Sequence, residues 1–150
     1  MILIKYFIAI TFFSVVSFVQ AADGLIKVKS PHTTKATMDK FEEIVASKGL
    51  NIFARVDHSA GAESVGKALR PTEVLVFGNP QGGTPLMQCV QTLGIDLPLK
   101  ALVWEDASSQ VWLGYNDLAY LAERHAVKEC PAVEKLSKAL AAFAAATVEP

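Results

Sequence analysis

Cysteine and histidine are scarce in this chain, and neither sign of charge dominates. Two Cys and three His in 150 residues cannot make a disulfide-dense miniprotein. The two Cys form no Cys-x-x-Cys pair, which argues against a thioredoxin-type redox centre. There is no His-x-x-x-His or Glu-x-x-His spacing for zinc, so no metal is expected. Fourteen basic and fifteen acidic residues give a net charge of −1, which excludes a charge-driven nucleic-acid binder. Nine Gly and seven Pro are too few for a collagen-like or low-complexity chain. Internal repeats and linkers are also absent, and the length suits one domain.

What the chain does have is an uneven distribution of apolar residues. Residues 1–21 hold 16 of them, one base (Lys5) and no acid. A short basic start, an apolar run Tyr6–Val19 and Val19-Gln20-Ala21 before Ala22 make the three-part pattern of a secretory signal peptide. The alternative is a retained anchor, because the uncharged stretch is near the lower limit for spanning a bilayer. Only in that case is a membrane partner expected. Either way, the expected location is periplasmic or secreted, with residues 22–150 as a single domain. Without Lys5 that domain has a net charge of −2.

An oxidising compartment permits a bridge between Cys89 and Cys130. Two separate thiols are the other reading, since sequence does not reveal whether the Cα atoms come close enough. Cys89 falls in an expected helix and Cys130 just before another, so a bridge would tie two helices together.

Along residues 22–150, Gly24–Lys29 alternates as a half-buried strand, with Leu25, Lys27 and Lys29 on one side. Thr33 or Thr34 caps a helix that runs to Lys48, and Gly49 stops it. Leu50–Asp57 alternates again, with Ile52, Ala54 and Val56 facing one way. Ser59–Val65 is a short helical turn. Glu73–Phe77 is a nearly continuous apolar run with β-branched Val, the pattern of a central strand. Gly78–Gly83 has loop composition, and Thr84-Pro85 looks like a cap followed by a first-turn Pro. Leu99–Glu105 and Gln110–Gly114 form a hairpin across Asp106–Ser109. Asn116 caps a helix through His125, and Pro131 opens the last one. The expected fold is α+β: a single two-layer domain, a mixed sheet of about five strands with packed helices, in the order β-α-β-α-β-α-β-β-α-α.

Asp57-His58, Phe77-Gly78-Asn79-Pro80, Thr84-Pro85-Leu86-Met87, Asp96-Leu97-Pro98-Leu99-Lys100, Trp104-Glu105-Asp106 and Tyr115-Asn116 resemble the motif series of domain of unknown function family 302. The resemblance runs from about Gly24 to Phe143 and implies a small α+β domain. It brings no settled biochemical role, and Cys89 and Cys130 depart from the family pattern.

Four residues stand at strand ends: His58, Asn79, Lys100 and Tyr115. If the strands before His58 and Asn79 are parallel, and the last strand runs the same way, the four converge on one edge, with Asp96 as counter-ion to Lys100. That edge could bind a small molecule or an anion. Each residue also has a structural role open to it. His58 could bond backbone at its strand end, and Asn79 could close the turn before Pro80. Asp96 and Lys100 could pair, and Tyr115 could cover the core with its ring. Met87 is read as core, and His125 as a helix-end histidine favoured by the dipole. The function expected is ligand binding at this edge. The alternatives are a structural or partner-binding homodimer, and an enzyme with His58 as general base. No cofactor is identified.

Overall fold

The computed structural model describes residues 24–127 and 129–150. The leader reading therefore lies outside the described residues. Five strands form one sheet in the order β1-β5-β4-β3-β2. They are β1 (Leu25–Ser30), β2 (Asn51–Asp57), β3 (Thr72–Gly78), β4 (Leu99–Glu105) and β5 (Val111–Asn116). The helices are α1 (Thr34–Ser47), α2 (His58–Ser64), α3 (Pro80–Cys89), α4 (Leu118–Arg124) and α5 (Pro131–Val148), with a 3-10 turn at Gln91–Ile95 between α3 and β4. The element order is the expected one.

The sheet is not mixed: every neighbouring pair is antiparallel. Between β2 and β3 the small size of α2 suits that direction. A parallel return must carry the chain back along the whole strand, roughly 20 Å for six or seven residues. A seven-residue helix is only about 10 Å long, so α2 turns the chain at one end of the sheet and β3 runs back beside β2.

One face of the sheet is packed. Leu75, Phe77, Ala101, Val103 and Leu113 lie buried against Met38, Phe41 and Val45 of α1 and Leu140 and Ala144 of α5. The Phe41 and Phe77 rings meet edge to face, with centroids 5.3 Å apart, a favoured aromatic geometry. Ser30 and Thr37 are buried as well, and they satisfy one another through a 2.6 Å hydroxyl contact.

Three local readings change. Ala54 and Val56 do not share a face with Ile52, because the β2–β3 register shifts between Ile52 and Ala54. The extra residue, Phe53, is 58% exposed. The bulge swaps the faces beyond it, as a one-residue insertion into a period of two must, and it pairs Arg55 with core Leu75. The third helix begins at Pro80, not Pro85. Asn79 Oδ1 accepts from Gly82 N at 2.9 Å and Pro80 takes the first helical position, a cap strong enough to draw Gly82-Gly83 into the helix. Asn116 ends β5 while Asp117 caps α4, accepting from Ala119 N at 2.9 Å.

Candidate functional site

The antiparallel sheet separates the four strand-end residues. His58 follows Asp57, which pairs with Glu73, whereas Asn51 pairs with Gly78 at the other end. Asn79 lies six residues beyond Glu73, which puts it roughly 20 Å from His58 along the strand. His58 is exposed at the start of α2. Asn79, Lys100 and Tyr115 do share the opposite end, but not a common space. Asn79 caps α3 and donates from Nδ2 to Gly49 O at 3.0 Å. Tyr115 faces the helices, 4% exposed, and burial, followed by the Asp117 charge, raises its phenol pKa. Lys100 pairs with Val76 on the other face of the sheet.

Asp96 does not pair with Lys100 through its carboxylate. The Lys100 ammonium donates instead to the Asp96 and Pro98 carbonyls. The Asp96 carboxylate accepts from Arg124 at 2.9 Å, and its other oxygen lies 2.7 Å from His125 Nε2. His125 Nδ1 in turn lies 2.8 Å from Thr92 Oγ1. Asp96 and His125 are 12% and 9% exposed at their side chains. A hydroxyl, an imidazole and a carboxylate in series are also the parts of an acyl-transfer triad. Here, however, Arg124 shares the carboxylate, and neither main surface depression includes the series. We read it as a staple that holds the 3-10 turn against the end of α4. No sequence spacing links residues 92, 96 and 125, so this cluster was not legible before the fold. His125 does cap the C-terminal end of α4, where a helix-end histidine was expected. Met87, expected in the core, is instead 36% exposed.

Cys89 and Cys130 are bonded, with Cα atoms 5.9 Å apart. The bridge ties the last residue of α3 to the residue that precedes α5.

A second charged cluster sits at the sheet edge beside α1. Arg55 donates to Glu73 at 2.6 Å, Asp39 at 2.7 Å and Glu42 at 3.0 Å. Its three carboxylate partners, Glu73 first, hold the guanidinium pKa above its usual value. The Lys35 ammonium and then Arg55 hold Asp39 below the ordinary carboxylate range.

Among the described residues, none forms a layer over the sheet face turned away from the helices. Its outward positions include Lys27, Lys29, Lys100, Leu102, Trp104, Trp112, Val74, Val76 and Val56, and none of these is buried. Trp104 and Trp112 stack with centroids 6.3 Å apart. The Lys29 and Lys27 ammoniums stand 5.4 and 5.6 Å from the centre of the Trp112 ring, within cation–π range. Trp104 covers Gly114, which is buried beneath it. Trp112 Nε1 donates to Asp106 at 2.8 Å. That bond, followed by the Gln110 amide, lowers the Asp106 pKa.

The main surface depressions are open. One lies between α4 and α5 and is lined by Ala119, Ala122, Val127 and Val133; the other lies beside α2, with Asp57, Ser59 and Lys67. Neither includes His58, Asn79, Lys100 or Tyr115. Among the described residues, no group of three or more His, Cys, Asp or Glu side chains is placed to hold a metal ion.

Comparison with known proteins gives both curated relatives and a solved structure. The chain is 51% identical over 104 residues to Fluoride-specific ion channel FluC 1 of Brucella suis, a match covering 69% of this chain and 41% of that protein. It is equally similar to Fluoride-specific ion channel FluC 1 of Brucella abortus, covering 38% of that protein. The chain thus spans about two fifths of the length of these relatives. In fold it is similar to the crystal structure of an uncharacterized conserved protein from Bacillus stearothermophilus. That likeness has a TM-score of 0.69 at 18% identity and covers 85% of this chain and 97% of that one. The family described as Domain of unknown function DUF302 matches residues 26–143, nearly all of the described fold, and the chain belongs to that family.

Proposed function

We propose that this chain is an accessory interaction domain that works outside the cytoplasm beside a membrane ion channel. The observation that carries the reading is the 51% identity to proteins named as fluoride-specific ion channels, of which the matched region is only 41% or 38%. An ion pathway through a bilayer needs spanning helices or a closed barrel. The sheet described here is open, with β1 and β2 at its edges, and no described helix is long and apolar enough to cross a membrane. The role proposed for this domain is therefore something other than the pore.

The geometry favours interaction over a small-molecule site. The residues expected to grip a ligand at one strand-end edge are split between two ends and two faces of the sheet. A general base at His58 would have to work without Tyr115 or Asn79. The outer sheet face, by contrast, carries half-buried Trp104, Trp112, Val74, Val76 and Leu102 beside Lys27, Lys29 and Lys100, with no described residue forming a layer over them.

Complementation tests the reading. The matched region is removed from the Brucella suis relative, and this chain is supplied as a separate polypeptide in fluoride-sensitive cells. Loss of fluoride tolerance on removal and its recovery with the added chain are expected. Unchanged tolerance on removal, or no recovery, would overturn the accessory role.

A further inference from the structure

We infer that the uncovered face of the sheet docks on an anionic phospholipid surface. The inference rests on the reading of the chain as an interaction domain at a membrane and names what the domain contacts there. Charge is the first argument. The chain as a whole carries a net charge of −1, yet the charged residues at outward strand positions of this face are Lys27, Lys29 and Lys100. The acids of β3 and β4, Glu73 and Glu105, lie in the other register, in line with core residues Leu75 and Val103. Asp106 stands at the rim, in the hairpin turn. Its carboxylate is engaged by Trp112 Nε1 and by the amides of Ser108 and Gln110.

The aromatic geometry selects among possible partners. Sugars stack on open indole faces, but Trp112 has two ammoniums over its ring and Trp104 lies against Gly114. A second copy would set a face whose described strand charges are all lysines against another of the same kind and leave ammoniums without counter-charges. A bilayer interface suits both residue types. Indoles partition to the headgroup level, and lysines extend their ammoniums to anionic headgroups while their stems stay on apolar surface. Val74, Val76 and Leu102 continue the apolar surface beside the indoles.

The chain contains two Trp, and both lie on this face, so selectively excited tryptophan emission reports on it alone. The full-length chain is titrated with vesicles of phosphatidylglycerol mixed with phosphatidylcholine, and separately with phosphatidylcholine alone. Brominated lipids serve as depth quenchers. A blue shift and bromine quenching are expected with the anionic vesicles only, and both should fade with added salt. The Lys27→Gln/Lys29→Gln variant keeps the same N-terminal segment, so that segment cancels from the comparison. It should bind roughly 30-fold more weakly, from about 1 kcal/mol for each Lys near an anionic surface. Emission unchanged by anionic vesicles, equal quenching by both lipids, or undiminished binding of the double variant would overturn the inference. A fluorescence response to the remainder of the channel relative in neutral lipid, with none to anionic vesicles, would also overturn it. The accessory role would then survive. Lipid binding without complementation would support the docking surface and reject the channel association alone.

Discussion

Trp104 occupies the space that a side chain on Gly114 would need. A Cβ at residue 114 would lie 2.9 Å from Trp104 Cζ3, too close for an ordinary contact. The two residues are on adjacent strands, Leu102 opposite Gly114 and Trp104 opposite Trp112. The indole thus lies diagonally across the glycine. It shields a backbone that would otherwise be bare, and it reaches Trp112. Gly114→Ala should displace the indole and destabilise the fold by about 1–3 kcal/mol, the usual range for overpacking. Urea unfolding checks the stability, and near-ultraviolet circular dichroism should show the loss of the Trp–Trp pair. An unchanged spectrum would mean that the pair does not depend on residue 114.

Asn79 makes two bonds of different kinds, a cap to Gly82 N and a tether to Gly49 O. Asn79→Ala removes both and should cost about 1–2 kcal/mol, as for a strong N-cap. Asn79→Asp keeps the accepting oxygen and loses the donor, so its melting temperature should fall between wild type and the Ala variant. Equal melting of the Asp and Ala variants would assign the whole effect to the tether.

The bridge from Cys89 to Cys130 spans 41 residues of sequence. Chain-entropy arguments give about 4 kcal/mol for closing a loop of that length. Reductant should lower the urea midpoint of the wild type. The Cys89→Ser/Cys130→Ser variant should already unfold near that lower midpoint, with no further response to reductant. A wild-type midpoint indifferent to reductant would contradict the bridge.

Acid should weaken the edge cluster of Arg55. The Asp39 pKa is lowered in the fold, first by Lys35 and then by Arg55. A carboxylate whose folded pKa is depressed adds stability above its unfolded pKa and loses it as pH falls through the folded value. Stability should therefore decline below about pH 4, where a free Asp begins to protonate. Arg55→Met leaves Glu73 and Glu42 without their guanidinium and should cost about 1–3 kcal/mol at neutral pH. The acid-side decline should become shallower but persist, because Lys35 remains. Unfolding free energies measured from neutral to acid pH would test both points, and identical slopes for the two proteins would exclude a share for Arg55.

Much of the fold was legible in the residues themselves. The alternation of Leu25, Lys27 and Lys29 against Ile26 and Val28 placed β1 and divided its residues between the two sides that the sheet shows. The apolar run of β3, the hairpin around Asp106–Ser109 and Pro131 opening α5 are likewise local signals, written in period, turn chemistry and caps. The motif series also identified the family. Strand direction is not local. A helix between two strands suits either a crossover or a turn, and β3 pairs antiparallel with both β2 and β4 across helices of seven and ten residues. The bulge at Phe53 is another such case, since its extra residue exists only relative to the register of β3. The site depended on both. Local pattern placed His58, Asn79, Lys100 and Tyr115 at strand ends, while direction and face decided that they do not meet. Asp96, Arg124, His125 and Thr92 meet across 28 to 33 residues of sequence because packing α4 beside the turn before β4 creates the contact. Composition and period are written along the chain. Pairing, register and the union of distant charges arise only once the chain closes on itself.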